Sequence, residues 1–128
     1  MRNIILAAVL TIGLLPGIAA AGEKAQALAP QNTQDLFNLC AVGTDNPEHE
    51  KMVHYCIAYL NGAVAYHNAM AEHKDMERLI CYPDDATLAK GAIAFNEWAR
   101  GKLSDMQYMN EAAVIGAVRG MKAKWPCK

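Results

Sequence analysis

Apolar positions from Asn32 onward recur at spacings of three and four, and no alternating run is long enough for a strand, so the pattern predicts an all-α chain. Asn32 and Thr33 are placed to cap a short first helix, with Asp35 in its first turn and Leu36, Phe37, Leu39 and Cys40 as its apolar side. Gly43-Thr44-Asp45-Asn46-Pro47 ends it, and Asn46 and Pro47 suit the N-cap and first position of a second helix. That helix runs to the low seventies and carries two stripes. One is Val53, Cys56, Ile57, Leu60, Val64 and Ala71; the other is Tyr55, Tyr59, Gly62, Tyr66 and Met70. Two stripes predict burial on two sides, near the centre of a bundle, with a face kept for a partner as the alternative.

His73 to Arg78 is charged and weakly patterned, which predicts a loop before Leu79-Ile80-Cys81-Tyr82-Pro83. Asp84, Asp85 and Thr87 favour a third helix start, carried by Leu88, Ala92, Phe95 and Ala99 and broken at Gly101. Ser104 and Asp105 cap a fourth helix whose stripe is Met106, Met109, Ala113, Val114, Ala117, Val118 and Met121; Pro126 stops it. Ala112, Gly116 and Gly120 recur every four residues on this helix, a line of small side chains that lets another helix approach closely, either within the bundle or across a subunit interface. The expected architecture is a small helical bundle of about four helices.

The first 21 residues have the layout of an export signal. Arg2 supplies the positive end, Ile4 to Leu15 the apolar run, Pro16-Gly17 the break and Ala19-Ala20-Ala21 the small-residue cleavage site. A membrane anchor needs about 20 apolar residues, and this run is shorter, as is every later one. Cleavage after Ala21 then leaves a loose segment, 22–31, a helical domain, 32–128, and a protein without a membrane span in an oxidising compartment, the bacterial periplasm. The formal net charge of −1 falls by one more when Arg2 leaves. No basic stripe exists, which excludes a nucleic-acid binder.

Cys40, Cys56, Cys81 and Cys127 form an even set in a short exported chain, the signature of a disulfide framework. Four cysteines allow three pairings, and sequence alone does not choose among them. Hairpin topology favours one: Cys81, just before the third helix, meets Cys127, just after the fourth, which leaves Cys40 for Cys56. Zinc is disfavoured, since no Cys-x-x-Cys pair exists. His49, His54, His67 and His73 include no pair at the four-residue spacing of helical metal ligands. The only serine, Ser104, is a capping residue, and adjacent Asp84 and Asp85 do not share a helix face. The reading is no catalytic residue, no metal and no cofactor.

Four blocks taken in order and spacing resemble the Rap/Tai family of immunity proteins: Thr33-Gln34-Asp35-Leu36 followed by Leu39-Cys40; Tyr55-Cys56-Ile57-Ala58-Tyr59-Leu60-Asn61-Gly62; Cys81-Tyr82-Pro83; and Trp125-Pro126-Cys127. The resemblance covers Asn32 to Cys127. It implies a small helical periplasmic protein, often a homodimer, that binds and occludes a peptidoglycan-cleaving amidase toxin delivered by type VI secretion, with no catalysis. The chain departs from the family's usual pattern where many members carry His-Pro and this one has Arg100-Gly101-Lys102-Leu103. Loops on a cross-linked scaffold are where binding residues concentrate, so two charged clusters are the candidate partner-binding residues: His73, Lys74, Asp75, Glu77 and Arg78, and Arg100, Lys102 and Asp105. The alternative function is a small periplasmic chaperone of the acid-stress type, which the four histidines favour and the four cysteines oppose. A secreted hydrolase is disfavoured for want of a nucleophile and base.

Overall fold

A computed structural model describes residues 29–73 and 76–128. The predicted export signal, most of the 22–31 segment, Lys74 and Asp75 lie outside the described residues. Among the described residues five helices follow one another: α1 (Thr33–Cys40), α2 (His49–His73), α3 (Leu88–Arg100), α4 (Met106–Met109) and α5 (Ala113–Lys124). The protein is an all-α bundle stapled by two disulfides.

α1 starts where polar side chains take up backbone donors of its first turn. The Asn32 side chain accepts from the Asp35 N–H at 2.9 Å, while Asp35 Oδ2 accepts from the Gln31 and Asn32 N–H groups at 3.1 and 3.4 Å, a reciprocal capping box. Leu36, Phe37 and Leu39 are buried behind it, and Cys40 is bonded to Cys56 of α2. α2 begins two residues later than expected. Asn46 Oδ1 accepts from the Glu48 N–H at 2.8 Å, and this tight turn takes up Pro47 and Glu48 before regular helix starts at His49.

The two-sided burial expected of α2 is corrected. Cys56, Leu60 and Ala63 are buried, with Val53, Ile57 and Val64 partly so, whereas Tyr55, Gly62 and Tyr66 are exposed. α2 has 25 residues and the other helices 13 or fewer, and α1, α3 and α5 pack against it. On its second stripe Tyr59 is half-buried against the core and Met70 half-buried, so that side is covered only in part.

α3 is capped by Thr87, whose hydroxyl accepts from the Lys90 N–H at 3.2 Å, and it buries Gly91, Ala94, Phe95 and Ala99. Asp85 pairs with Lys90, whose ammonium holds that carboxyl below the usual carboxylate range. The Asp84-Asp85 pair thus belongs to a helix start.

The expected fourth helix is two helices, and the break has a backbone cause. At Ala112 the chain is extended (φ −51°, ψ 138°), and Glu111 and Ala113 spend their peptide groups on the start of α1. The Thr33 N–H and Oγ1–H donate to the Glu111 carbonyl at 2.9 and 3.2 Å, and the Ala113 N–H donates to the Gln31 carbonyl at 3.3 Å. Those groups are then unavailable to a continuous helical ladder, so one turn of helix stops at Met109 and a new helix starts at Ala113. Thr33 is fully buried and fully bonded by the same exchange.

α5 turns an unexpected face inward. Its buried residues are Ala113, Gly116, Ala117, Gly120 and Met121, a strict three-and-four stripe made mostly of the smallest side chains. Val114 and Val118, read from sequence as core, stand off that stripe: Val114 is exposed and Val118 only partly buried. The small-residue line has an internal partner. A Cβ on Gly116 would lie 2.6 Å from Thr33 Cγ2 and 2.9 Å from its Cβ, and one on Gly120 would lie 2.8 Å from the Phe95 Cα. Glycine is what lets α5 sit directly on α1 and α3.

The C-terminus closes the bundle at one seam. The Cys81 N–H donates to the Trp125 carbonyl at 2.9 Å, Ile80 bridges Pro126, and Cys81 is bonded to Cys127. Tyr82 lies with its ring 5.5 Å from that of Trp125 and its hydroxyl 3.5 Å from Met121 Sδ. Burial pushes the Tyr82 phenol up to about 12. A raised folded-state value means that the neutral phenol's contribution is complete below the unfolded tyrosine range near ~10 and is lost as pH rises through the folded value. Stability is therefore expected to be flat to about pH 10 and to fall above it, by an amount that Tyr82→Phe reduces; urea midpoints across alkaline pH measure this.

Candidate partner-binding groove

The side chains that α5 turns away from the core do not all reach bulk solvent. Val114, Ile115 and Val118 form one wall of a groove of about 460 Å³; Ala63, Tyr66, Met70 and Ala71 of α2 form the opposite wall, and Met76 and Leu79 of the intervening segment close one side. The lining is overwhelmingly apolar, yet it lies outside the core: Tyr66 is 63% exposed, Met76 54% and Ile115 45%. Several large apolar side chains gathered at one place on a small domain mark a surface that another molecule covers. Burying such side chains fully is worth about 1.5–3 kcal/mol each, and these, partly covered already, retain a fraction of that for a partner.

The charged members of the groove are Glu77 of the 76–79 segment and Arg119 and Lys122 of α5. Arg119 is committed: its guanidinium donates to both oxygens of Glu111 at 2.6 and 2.8 Å, an interaction that raises its already high pKa further. Lys122 forms no ion pair among the described residues. His67, also in the lining, accepts the Leu79 N–H on Nε2 at 3.2 Å.

Arg119 and Lys122 also border a second, shallower recess of about 400 Å³ lined by Trp98, Lys102, Tyr108, Ala123 and Pro126. Here Trp98 and Tyr108 meet edge to face with centroids 6.0 Å apart, and Tyr108 carries the Lys102 ammonium 4.7 Å and the Arg119 guanidinium 5.2 Å from its ring centroid. The two recesses therefore share one basic ridge, with an apolar hollow on one side and an aromatic one on the other.

The charged residues singled out from sequence fall into four groups. Glu77 lines the groove and Lys102 the shallow recess, so the basic ridge of α5 connects one member of each cluster. Arg78 pairs with Glu72 at 3.3 Å, and His73 is exposed at the last residue of α2. Arg100 and Asp105 have local work: the Arg100 guanidinium lies 5.8 Å from the Phe37 ring centroid, and Asp105 caps α4 by accepting the Gln107 N–H at 3.1 Å. Lys74 and Asp75 fall outside the described residues. Sequence reasoning missed Val114, Ile115 and Val118 as surface residues. The signal was present in the smaller neighbours: once Ala113, Gly116, Ala117, Gly120 and Met121 are recognised as a complete helical face, the bulkier residues between them have no core to enter.

Ser104 is exposed in the turn before α4, and no serine–histidine hydrogen bond exists among the described residues. No group of three or more histidine, cysteine, aspartate or glutamate side chains is arranged to hold a metal ion there, and no helix is long and apolar enough to cross a membrane. What the arrangement offers is a binding surface. No curated protein and no solved structure matches the chain. Residues 32–127, the span that contains all five helices, both disulfides and the groove, match the family described as Rap1a immunity proteins, and the chain belongs to that family.

Proposed function

We propose that this chain is a periplasmic immunity protein that binds and occludes a peptidoglycan-cleaving amidase toxin of type VI secretion, acting as a homodimer and without catalysis of its own. Membership in an immunity family makes a toxin the partner; the apolar groove between α2 and α5 is the observation that supports a place for it. The export signal read in residues 1–21 supports a periplasmic site of action, where an enzyme that cuts the cell wall must be met. Two disulfides that tie α1 to α2 and the α3 entry to the C-terminus favour a rigid docking scaffold over a chaperone whose helices part.

In this reading the groove supplies affinity and the charges around it supply partner choice. Buried apolar anchors dominate interface energies, whereas rim charges act mainly on association rate and salt dependence. Ile115→Glu places a charge at the groove wall. It is expected to weaken binding of the cognate amidase toxin by at least about 30-fold, the equivalent of a 2 kcal/mol hot spot. Folding stability should stay within about 0.5 kcal/mol, because the side chain is a surface one. Charge reversal at Glu77 or Lys122 should change the association rate more than the dissociation rate. Titration calorimetry with the wild type and the variants decides the matter: unaltered affinity of Ile115→Glu removes the groove from the interface, and a wild type that binds no cell-wall amidase removes the assignment.

A further inference from the structure

We propose that His67 is a pH-operated latch on one wall of the groove: uncharged, it ties the 76–79 segment to α2, and protonated, it releases that segment. The effect on a partner rests on the groove reading above, whereas the latch itself does not.

His67 is bonded through both ring nitrogens. Nδ1 lies 3.2 Å from the Asn68 side-chain oxygen, which only accepts, so Nδ1 carries the proton; Nε2 lies 3.2 Å from the Leu79 backbone nitrogen, which only donates, so Nε2 is bare. This pair of partners fits one tautomer of the neutral ring. A second proton on Nε2 sets an N–H against an N–H. The Leu79 amide then loses its acceptor in a half-buried position, where an unpaired donor is costly.

The anchoring on either side of Leu79 is unequal. Immediately after it the chain is fixed, with Ile80 fully buried and bridged to Pro126 and Cys81 bonded covalently to Cys127. Before it, the one other side-chain hydrogen bond between residues 76–79 and α2 among the described residues is the exposed Arg78–Glu72 pair at 3.3 Å, a type that contributes little. The hydrogen bond to His67 is therefore the polar tie that fixes Leu79 to α2, beside the apolar contact that Leu79 makes with the core. Histidine is the side chain whose charge changes in the mildly acidic range. The charged groups that share the groove with the ring are Glu77 from the segment and Arg119 and Lys122 from α5. On α2 itself Glu72 is engaged with Arg78, and Arg119 with Glu111. Acidification would thus loosen one wall while the α2–α5 core stays shut, and a partner that needs the wall would in turn hold His67 uncharged.

The test uses the purified protein alone. Imidazole 15N spectra at pH 7.5 should show the Nδ1–H form, and the protection factor of the Leu79 amide should fall by at least about tenfold between pH 7.5 and pH 5, the loss of one buried hydrogen bond. Amides of α5 should keep theirs. His67→Gln, whose side-chain oxygen accepts without titrating, should keep Leu79 protected at both pH values. An Nε2–H ring, or the same Leu79 protection at both pH values in the wild type, overturns the latch. If His67→Gln fails to fold, the wild-type spectra and exchange series decide alone. Toxin affinity at pH 7.5, which tests the immunity reading, enters none of these outcomes. A groove that binds no toxin and a latch that does not open are therefore told apart.

Discussion

Replacing Cys81 and Cys127 together by alanine is expected to lower global stability by about 4 kcal/mol, the chain-entropy value for closing a loop of this length. The bridge spans 46 residues, against 16 for Cys40–Cys56. It encloses α3, α4 and α5, so its loss frees over a third of the described chain to explore open conformations when unfolded. The shorter bridge is worth about 3 kcal/mol in the same model. Domains of this size are stable by about 5–15 kcal/mol in all, so one bridge is a large share of the whole. The geometry adds to the entropy: Cys81 and Cys127 lie at the backbone pairing that helps to hold the C-terminus, through the Cys81–Trp125 hydrogen bond and the Ile80–Pro126 bridge. Urea unfolding of the double variant should show a lower midpoint and a steeper dependence on urea, because the unfolded chain without the bridge exposes more surface. A loss below about 1 kcal/mol, a quarter of the model value, would mean that those backbone contacts hold the seam without the bridge.

How much of this was legible in the sequence divides by the range of the forces involved. α1 and α3 were legible nearly to the residue, because Asn32, Asp35 and Thr87 act on backbone groups within three positions of themselves. The two disulfides followed from the order of the elements. The break at Glu111–Ala112 was not legible, since it exists to serve Thr33, 78 residues earlier, and local pattern carries no trace of such a partner. The exposure of Tyr55 and Tyr66 on α2 was not legible either. Periodicity shows that a stripe exists, not whether any neighbour remains to cover it. Of the candidate site, the charged clusters located Glu77 and Lys102, but the apolar lining was hidden by an assumption that larger side chains go inward.

That assumption fails on α5 because backbone distance, not side-chain volume, decides what a helix can bury. α5 lies close enough to α3 for Gly120 to sit against the Phe95 main chain, and at that distance only glycine fits without a shift of the backbone. Val114, Ile115 and Val118 are displaced to the flank by this close approach, where they become the wall of the groove. The site is thus a consequence of the packing: the tighter α5 binds its neighbours through small residues, the more apolar surface it presents to the outside.

Two substitutions on the same helix should therefore have opposite outcomes. Gly120→Leu must place its Cβ 2.8 Å from the Phe95 Cα and 3.1 Å from the Phe95 ring, and backbone gives way less readily than a side-chain end. The gain in helix propensity, about 1 kcal/mol for leaving glycine, does not offset this. Overpacking costs about 1–3 kcal/mol where a core adapts, and here α3 itself would have to move, so the upper end or beyond is expected. In a domain of this length, melting should fall by about 4–8 °C for each kcal/mol lost. Ile115→Ser removes a far larger apolar group than Gly120 ever carried, yet its side chain is 45% exposed in the folded protein and leaves no cavity in the core. Its melting temperature should change by only a few degrees, the scale of an ordinary surface substitution of about 0.5 kcal/mol, while its contribution to partner binding is lost. Were Gly120→Leu instead to melt like the wild type and dissociate a dimer, the small-residue line would be a subunit contact, and the groove would lose the packing argument that explains why its walls are exposed.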